Sequence, residues 1–287
     1  MSTKSSTIPQ VGVLVDLTKC IGCGSCTVAC KMYNDNKWIE KRAATDGEEA
    51  QLADENWTVV RKSVVKDREG REAWRFAKHQ CLHCKDPACV SACPSRAFQK
   101  SPEGPVVYYP QNCIGCRYCM IGCPFNIPKF EWAKTVPVIT KCMMCSTRVT
   151  RGEAPACVSV CPTNVMKFGK IDDLLEEARK IVADHPEKYI QHIYGEEEAG
   201  GTGWIYISDV PFEQLGFKMN IPKHSLPEQT ETFMHLSPIV GGAWGLILAG
   251  LYLITKRRRC CAKACAENAE IPVETAQPES EKSEPEA

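Results

Sequence analysis

The chain has 287 residues, 44% of them hydrophobic, and its 35 lysines and arginines balance its 35 aspartates and glutamates. That composition excludes a chain disordered throughout, and the zero net charge excludes a basic nucleic-acid binder, so no nucleic-acid partner is expected. The outlying feature is cysteine: there are nineteen, and sixteen fall into four groups of four.

In chain order, residues 1–10 read as a flexible N-terminus with no apolar stretch of signal-peptide length and no twin arginine. Residues 11–17 predict a strand leading into the first group, Cys20, Cys23, Cys26 and Cys30, spaced C-x2-C-x2-C-x3-C. Residues 31–80 read as an insertion whose acidic middle, 46–55, is a solvated loop. Segments 57–66 and 71–78, joined by the turn 67–70, predict a β-hairpin. The second group follows: Cys81, Cys84, Cys89 and Cys93, spaced C-x2-C-x4-C-x3-C-P. A short strand at 106–109 feeds the third, Cys113, Cys116, Cys119 and Cys123, spaced C-x2-C-x2-C-x3-C-P. Another at 136–140 feeds the fourth, Cys142, Cys145, Cys157 and Cys161, spaced C-x2-C-x11-C-x3-C-P.

Beyond the cysteines, 164–170 predicts a closing strand and 172–183 an amphipathic helix, with Leu174, Leu175, Ala178, Ile181 and Val182 at helical spacing. Segments 190–194 and 204–208 predict strands around the glycine-rich turn 200–203. That turn lacks the lysine and hydroxyl residue of a phosphate loop. Residues 236–255 carry no charge and span about 30 Å as a helix, the thickness of a bilayer's hydrocarbon core. Lys256, Arg257, Arg258 and Arg259 follow at once. A transmembrane anchor is the reading, its basic end in the cytoplasm and the cysteine domain, 11–235, outside it. Residues 256–287 read as a basic then acidic tail, disordered from 267, with Cys260, Cys261 and Cys265 as plain thiols.

Cysteine runs of this kind hold [4Fe-4S] clusters, and the fourth cysteine of a run ligates the other cluster of a pair. Sixteen thiolates at four per cluster make four [4Fe-4S] clusters. Gly22, Gly24 and Gly115 let the loops approach the cluster, the fourth cysteine starts a short helix that turns away, and Pro94, Pro124 and Pro162 set the chain direction there. The first group has Lys31 in place of that proline. A zinc-binding scaffold is the alternative, but zinc pairs are usually separated by a dozen or more residues. Lys19, Lys85, Arg96, Arg117, Lys129, Lys141 and Arg148 stand near the groups and can offset cluster charge. His83 reads as structural, since four cysteines complete its group. The expected fold class is α+β: two ferredoxin-like modules in a pseudo-two-fold repeat, plus one C-terminal transmembrane helix.

The four groups, their x4 and x11 gaps, the segment IYGEEEAGGTGWIYISDVPFEQLGF and the terminal anchor resemble the iron–sulfur β subunits of membrane-bound respiratory oxidoreductases. HybA-type subunits of uptake [NiFe] hydrogenases and β subunits of respiratory formate dehydrogenases are the nearest types, within a wider family of dimethyl sulfoxide reductase-like enzymes. The resemblance implies crossed ligation. Cluster one takes Cys20, Cys23, Cys26 and Cys161; cluster two takes Cys142, Cys145, Cys157 and Cys30. Cluster three takes Cys81, Cys84, Cys89 and Cys123; cluster four takes Cys113, Cys116, Cys119 and Cys93. It further implies a non-catalytic electron-transfer subunit between a catalytic partner (a hydrogenase or a molybdopterin enzyme) and a membrane cytochrome b or quinone-reactive subunit. The cluster domain crosses the membrane folded, so the expected catalytic partner bears a twin-arginine signal. His235 is the one nearby candidate for a haem ligand, so the haem belongs to a separate subunit. A cytoplasm-facing subunit of another reductase is the alternative arrangement.

Overall fold

The computed structural model describes residues 9–38, 46–47, 50–67 and 69–269. The chain divides into two units, 1–230 and 231–287.

The first unit is built on strand β1 (Val11–Asp16), whose side chains alternate between two cores. Leu17 leaves the strand to open a single 3-10 turn, Leu17–Lys19, capped by the Asp16 carboxylate. Helix α1 (Ser25–Asn34) carries the end of the first cysteine group. Strands β2 (Asp46–Gly47), β3 (Thr58–Lys66) and β4 (Glu72–Gln80) form a sheet in that order. The hairpin β3–β4 pairs from Thr58 opposite Gln80 to Lys66 opposite Glu72, as its turn predicts. Helix α2 (Ala88–Ser91), the paired strands β5 (Phe98–Lys100) and β6 (Val106–Tyr108), helix α3 (Tyr118–Ile121) and the pair β7 (Lys129–Phe130) and β8 (Ile139–Thr140) follow. Then come α4 (Ser146–Val149), α5 (Ala156–Ser159), β9 (Met166–Lys170), α6 (Ile171–Asp184), β10 (Trp204–Ile207) and α7 (Leu226–Ala269).

β1 is the middle strand of the order β10–β1–β9, parallel to β10 and antiparallel to β9. One face of this sheet packs Leu14, Ile205 and Ile207 against Ile171, Leu174, Leu175, Ala178 and Val182 of α6. The opposite face turns Val13, Val15, Trp204 and Tyr206 towards the cysteines. A sheet covered on both sides reads as a continuous apolar run rather than an alternating one. Gly12 sits where the sheet meets α6: a Cβ there would lie 2.4 Å from Ile171 Cδ1 and 2.6 Å from the Gly203 carbonyl oxygen. The carbonyl belongs to the backbone and cannot swing aside. Gly12→Ala is expected to lower stability by about 1–3 kcal/mol, the usual cost of overpacking a full core, read as a lower midpoint in thermal or denaturant unfolding.

Several expectations are corrected. Segment 190–194 is no strand; it makes a single bridge, Tyr194 to Tyr206. The ladder stops because Gln191 donates to the Val182 carbonyl at 3.2 Å and His192 turns to Glu198 at 2.8 Å. The acidic segment 46–55 is not a wholly solvated loop: Asp46–Gly47 pairs with β3, and Ala50 and Glu55 are buried. The Lys31 ammonium reaches into this region and donates to the Glu55 carbonyl at 3.1 Å. The strand expected at 136–140 shrinks to Ile139–Thr140, since Pro137 has no N–H for a ladder. In groups two, three and four the short helix precedes the fourth cysteine instead of starting at it: α2, α3 and α5 end before Cys93, Cys123 and Cys161. The following proline cannot continue a helix. In group one Lys31 replaces it, and α1 runs through Cys30 to Asn34.

The second unit contains most of α7. This helix begins before the predicted anchor and runs past it to Ala269, so the stretch 256–269 is helical. Its portion Leu226–Arg259 is long and apolar enough to cross a membrane. Leu236, Ile239, Leu246, Ile247, Leu248 and Leu253 are all more than half exposed. The expectations for residues 1–8 and for the tail 270–287 lie outside the described residues, as do the side chains of Cys260, Cys261 and Cys265.

Candidate iron–sulfur sites

The four cysteine loops share one backbone bend. The residue before the second cysteine has positive φ in every group: Gly22 (71°), His83 (51°), Gly115 (70°) and Met144 (55°). Three residues past each Cys-Pro cysteine, φ is positive again at Arg96 (56°), Asn126 (55°) and Asn164 (50°). The repeat is therefore one of conformation as well as of spacing. The bend turns amides onto sulfur: Gly115 N–H donates to Cys113 Sγ at 3.4 Å and Met144 N–H to Cys142 Sγ at 3.3 Å. At Gly22 only glycine fits, because a Cβ would stand 2.4 Å from the Phe76 ring.

The groups do not close on themselves. Cys20, Cys23 and Cys26 line one cavity together with Cys161. Cys142, Cys145 and Cys157 line another together with Cys30. The Cys84 thiol is held well above its ordinary range by burial, then by its neighbours Cys81, Cys123 and Cys89. Burial, then the neighbouring Cys113, Cys93 and Cys116, push the Cys119 thiol up to about 12. Cys161 thus lies with the first group and Cys30 with the fourth, while Cys123 lies with the second and Cys93 with the third. Contacts between helices follow the same exchange, α1 against α5 and α2 against α3. Three further approaches join the sets in a row: Cys26 neighbours Cys157, Cys142 neighbours Cys81, and Cys89 neighbours Cys119. All sixteen cysteines are brought into sets, and none is in a disulfide.

Burial pushes the thiols of Cys26, Cys30 and Cys89 up to about 12. Such thiols are neutral alone, and a metal centre that takes them as thiolates must displace their protons. Among the described residues no three His, Cys, Asp or Glu side chains converge closely enough for a single ion. A zinc ion gathers its sulfurs around one atom, whereas a cube spreads them over its corners. A cavity of about 510 Å³ elsewhere, walled by Trp57, Tyr108 and Thr140, has none of the sixteen cysteines in its lining.

Two buried donors make the same point. Trp204 is fully buried and lines the cavity of Cys30, Cys142, Cys145 and Cys157, yet its indole N–H has no acceptor. His83 is fully buried in the second loop; its Nδ1 accepts from Val106 N–H at 2.9 Å, and its Nε2 has no partner. Burial, then Lys141, Lys100 and Lys78, hold His83 well below its usual pKa, so it is neutral and Nε2 carries the proton. Buried N–H groups without an acceptor are rare, and cluster sulfur is an acceptor of the kind both lack.

The basic residues expected to offset charge divide. Lys19 pairs with Asp16 at 3.1 Å, Arg148 with Glu153 at 3.2 Å, and Arg117 lies over the Trp132 ring at 5.2 Å. Lys129 donates to the Asn126 carbonyl at 3.0 Å. Lys141 alone among them is buried, donating to the Cys142 carbonyl at 2.9 Å. Two lysines went unread. Lys100 donates to the Cys84 carbonyl at 2.7 Å. Lys78, with 3% of its surface exposed, lines both the Cys20 and the Cys30 cavities. A lysine three residues before Cys81 in an otherwise ordinary strand gave little local signal; Trp204 and Lys78 meet only across the fold.

Two models described as "4Fe-4S dicluster domain" match the chain, over residues 19–97 and 72–171. A protein of Nitratidesulfovibrio vulgaris is 42% identical over 258 residues, covering 86% of this chain and 67% of that one. Hydrogenase-2 operon protein HybA of Shigella flexneri is 31% identical, covering 86% of this chain and 84% of that one. The iron–sulfur subunit of the nitrate-inducible formate dehydrogenase of Escherichia coli is 39% identical, covering 69% and 68%. With two dicluster domains, thiols gathered in sets and relatives of this kind, the chain belongs to the family of iron–sulfur subunits that contains HybA and the formate dehydrogenase iron–sulfur subunits.

Proposed function

We propose that the chain is a non-catalytic electron-transfer subunit carrying four [4Fe-4S] clusters in two ferredoxin-like modules related by a pseudo-two-fold repeat. Cluster one is held by Cys20, Cys23, Cys26 and Cys161, and cluster two by Cys142, Cys145, Cys157 and Cys30. Cluster three is held by Cys81, Cys84, Cys89 and Cys123, and cluster four by Cys113, Cys116, Cys119 and Cys93. The clusters supply one-electron redox chemistry, and the protein supplies their spacing, their hydrogen bonds and their dielectric surroundings. The observation that carries this reading is the row of sets, joined at Cys26–Cys157, Cys142–Cys81 and Cys89–Cys119. The end sets reach the surface: Cys23 is exposed, as are Ile114 and Ile121 around the third loop. The middle of the row is more interior: all four cysteines of cluster two and Cys81 of cluster three are buried, against Cys119 alone in the end sets. That is the layout of a relay loaded at one end and unloaded at the other.

Relatives named for hydrogenase and formate dehydrogenase, and the apolar α7, support a reading of the partners. A catalytic subunit of hydrogenase or molybdopterin type, exported by a twin-arginine signal, stands at one end of the relay. A membrane cytochrome b or quinone-reactive subunit takes the electrons at the other, and the apolar part of α7 anchors the chain in the same membrane. The basic run Lys256, Arg257, Arg258 and Arg259 puts the C-terminal end in the cytoplasm and the cluster domain outside it. Anaerobically purified protein is expected to contain about sixteen iron atoms and as much acid-labile sulfide per chain; about four zinc atoms and no sulfide would overturn the reading. Protease added to intact spheroplasts is expected to digest the cysteine domain, and protection there would reverse the orientation.

A further inference from the structure

Lys78 lies on β4 opposite Val60, at the end of the hairpin nearest the cysteines. Among the described residues it is the one charged side chain that lines either the cavity of Cys20, Cys23, Cys26 and Cys161 or that of Cys30, Cys142, Cys145 and Cys157, and it lines both. Its ammonium donates to Gln80 Oε1 at 2.9 Å and lies 4.5 Å from the centre of the Trp204 ring. Gln80 is fixed in turn by its amide, which donates to the Tyr206 hydroxyl at 2.6 Å. An amide oxygen and an aromatic face both suit a cation. No described carboxylate pairs with it, and a buried cation without an anion is costly.

Building on the four-cluster reading, we infer that Lys78 is a positioning residue shared by clusters one and two, whose buried ammonium raises the reduction potentials of both. The sign follows from charge. Reduction adds an electron to a centre that is already anionic, and a fixed positive charge beside it favours that step. Because the same ammonium serves both centres, it shifts their potentials in the same direction.

The test is an anaerobic redox titration of the full chain followed by electron paramagnetic resonance. Signals are assigned to sets by their loss in Cys20→Ala and Cys142→Ala variants. In Lys78→Met the midpoints of clusters one and two are expected to fall together, with the smallest shift at the set of Cys113; Lys78→Arg is expected to restore both. Gln80→Glu keeps the lysine but places a carboxylate beside it, so it should lower the same two midpoints even where Lys78→Met fails to assemble its clusters. Unchanged midpoints in an iron-replete Gln80→Glu or Lys78→Met protein would overturn the inference, as would an equal fall at all four centres. Absence of iron and sulfide from the unaltered chain would instead reject the four-cluster reading itself.

Discussion

A chain carrying Cys20→Ala together with Cys30→Ala is expected to lose two of its [4Fe-4S] centres, although both residues belong to one sequence motif. A chain carrying Cys20→Ala with Cys161→Ala is expected to lose only one, although these residues stand in the first and last motifs. Cys20 shares its cavity with Cys161, whereas Cys30 lies with Cys142, Cys145 and Cys157. Each corner iron needs its own thiolate, so a second deletion in the same set removes a centre already lost. If each motif held its own cluster, the two outcomes would be exchanged. Spin quantitation of the reduced proteins, with iron and acid-labile sulfide per chain, distinguishes the two patterns without reference to any partner. The same logic extends inward: Cys81→Ala and Cys93→Ala together should remove two centres, Cys81→Ala and Cys123→Ala one.

Removing iron with a chelator and reductant is expected to abolish the cooperative unfolding transition of the first unit. The cysteines sit inside the core instead of on a detachable loop: Cys81, Cys142 and Cys157 pack with Val13, Val15, Trp204 and Tyr206. Emptying the sets leaves Lys78 buried without an anion, at about 3–5 kcal/mol, and leaves the Trp204 and His83 N–H groups without acceptors at about 1–3 kcal/mol each. Those losses are comparable with the whole stability of an ordinary domain, about 5–15 kcal/mol. Near-ultraviolet circular dichroism and tryptophan fluorescence should lose their folded signature as iron leaves. An unchanged melting profile in fully iron-free protein would contradict this account.

Much of the architecture was legible residue by residue. The hairpin β3–β4 was announced by two β-rich segments around Asp67 and Gly70, and its register runs without a break from Thr58 to Gln80. Helix α6 followed from Leu174, Leu175, Ala178 and Val182 recurring on one face, all of them buried. The acidic segment misled because composition describes the average fate of a stretch. It does not report that Lys31 lies at its back, drawing the Glu55 backbone inward. Segment 190–194 misled because apolar Ile190, Ile193 and Tyr194 suit a covered strand, and a turn that buries Ile193 and Tyr194 covers such residues as well as a strand does.

Local spacing alone established the cysteine groups, the Cys-Pro breaks and the character of the cofactor, because each loop must wrap a few ångströms of cluster with a handful of residues. It said nothing of Lys78 or Trp204, it read His83 only as structural, and it named which runs exchange their fourth cysteines only through likeness to relatives. Those matters rest on contacts between distant stretches of chain. β9 returns antiparallel to β1 and carries Cys161 back towards Cys20, while α2 against α3 sets Cys93 and Cys123 in each other's loops. Long-range packing chose which charges and donors share a dry interior, because a buried group is held in place by whatever surrounds it rather than by its neighbours along the chain.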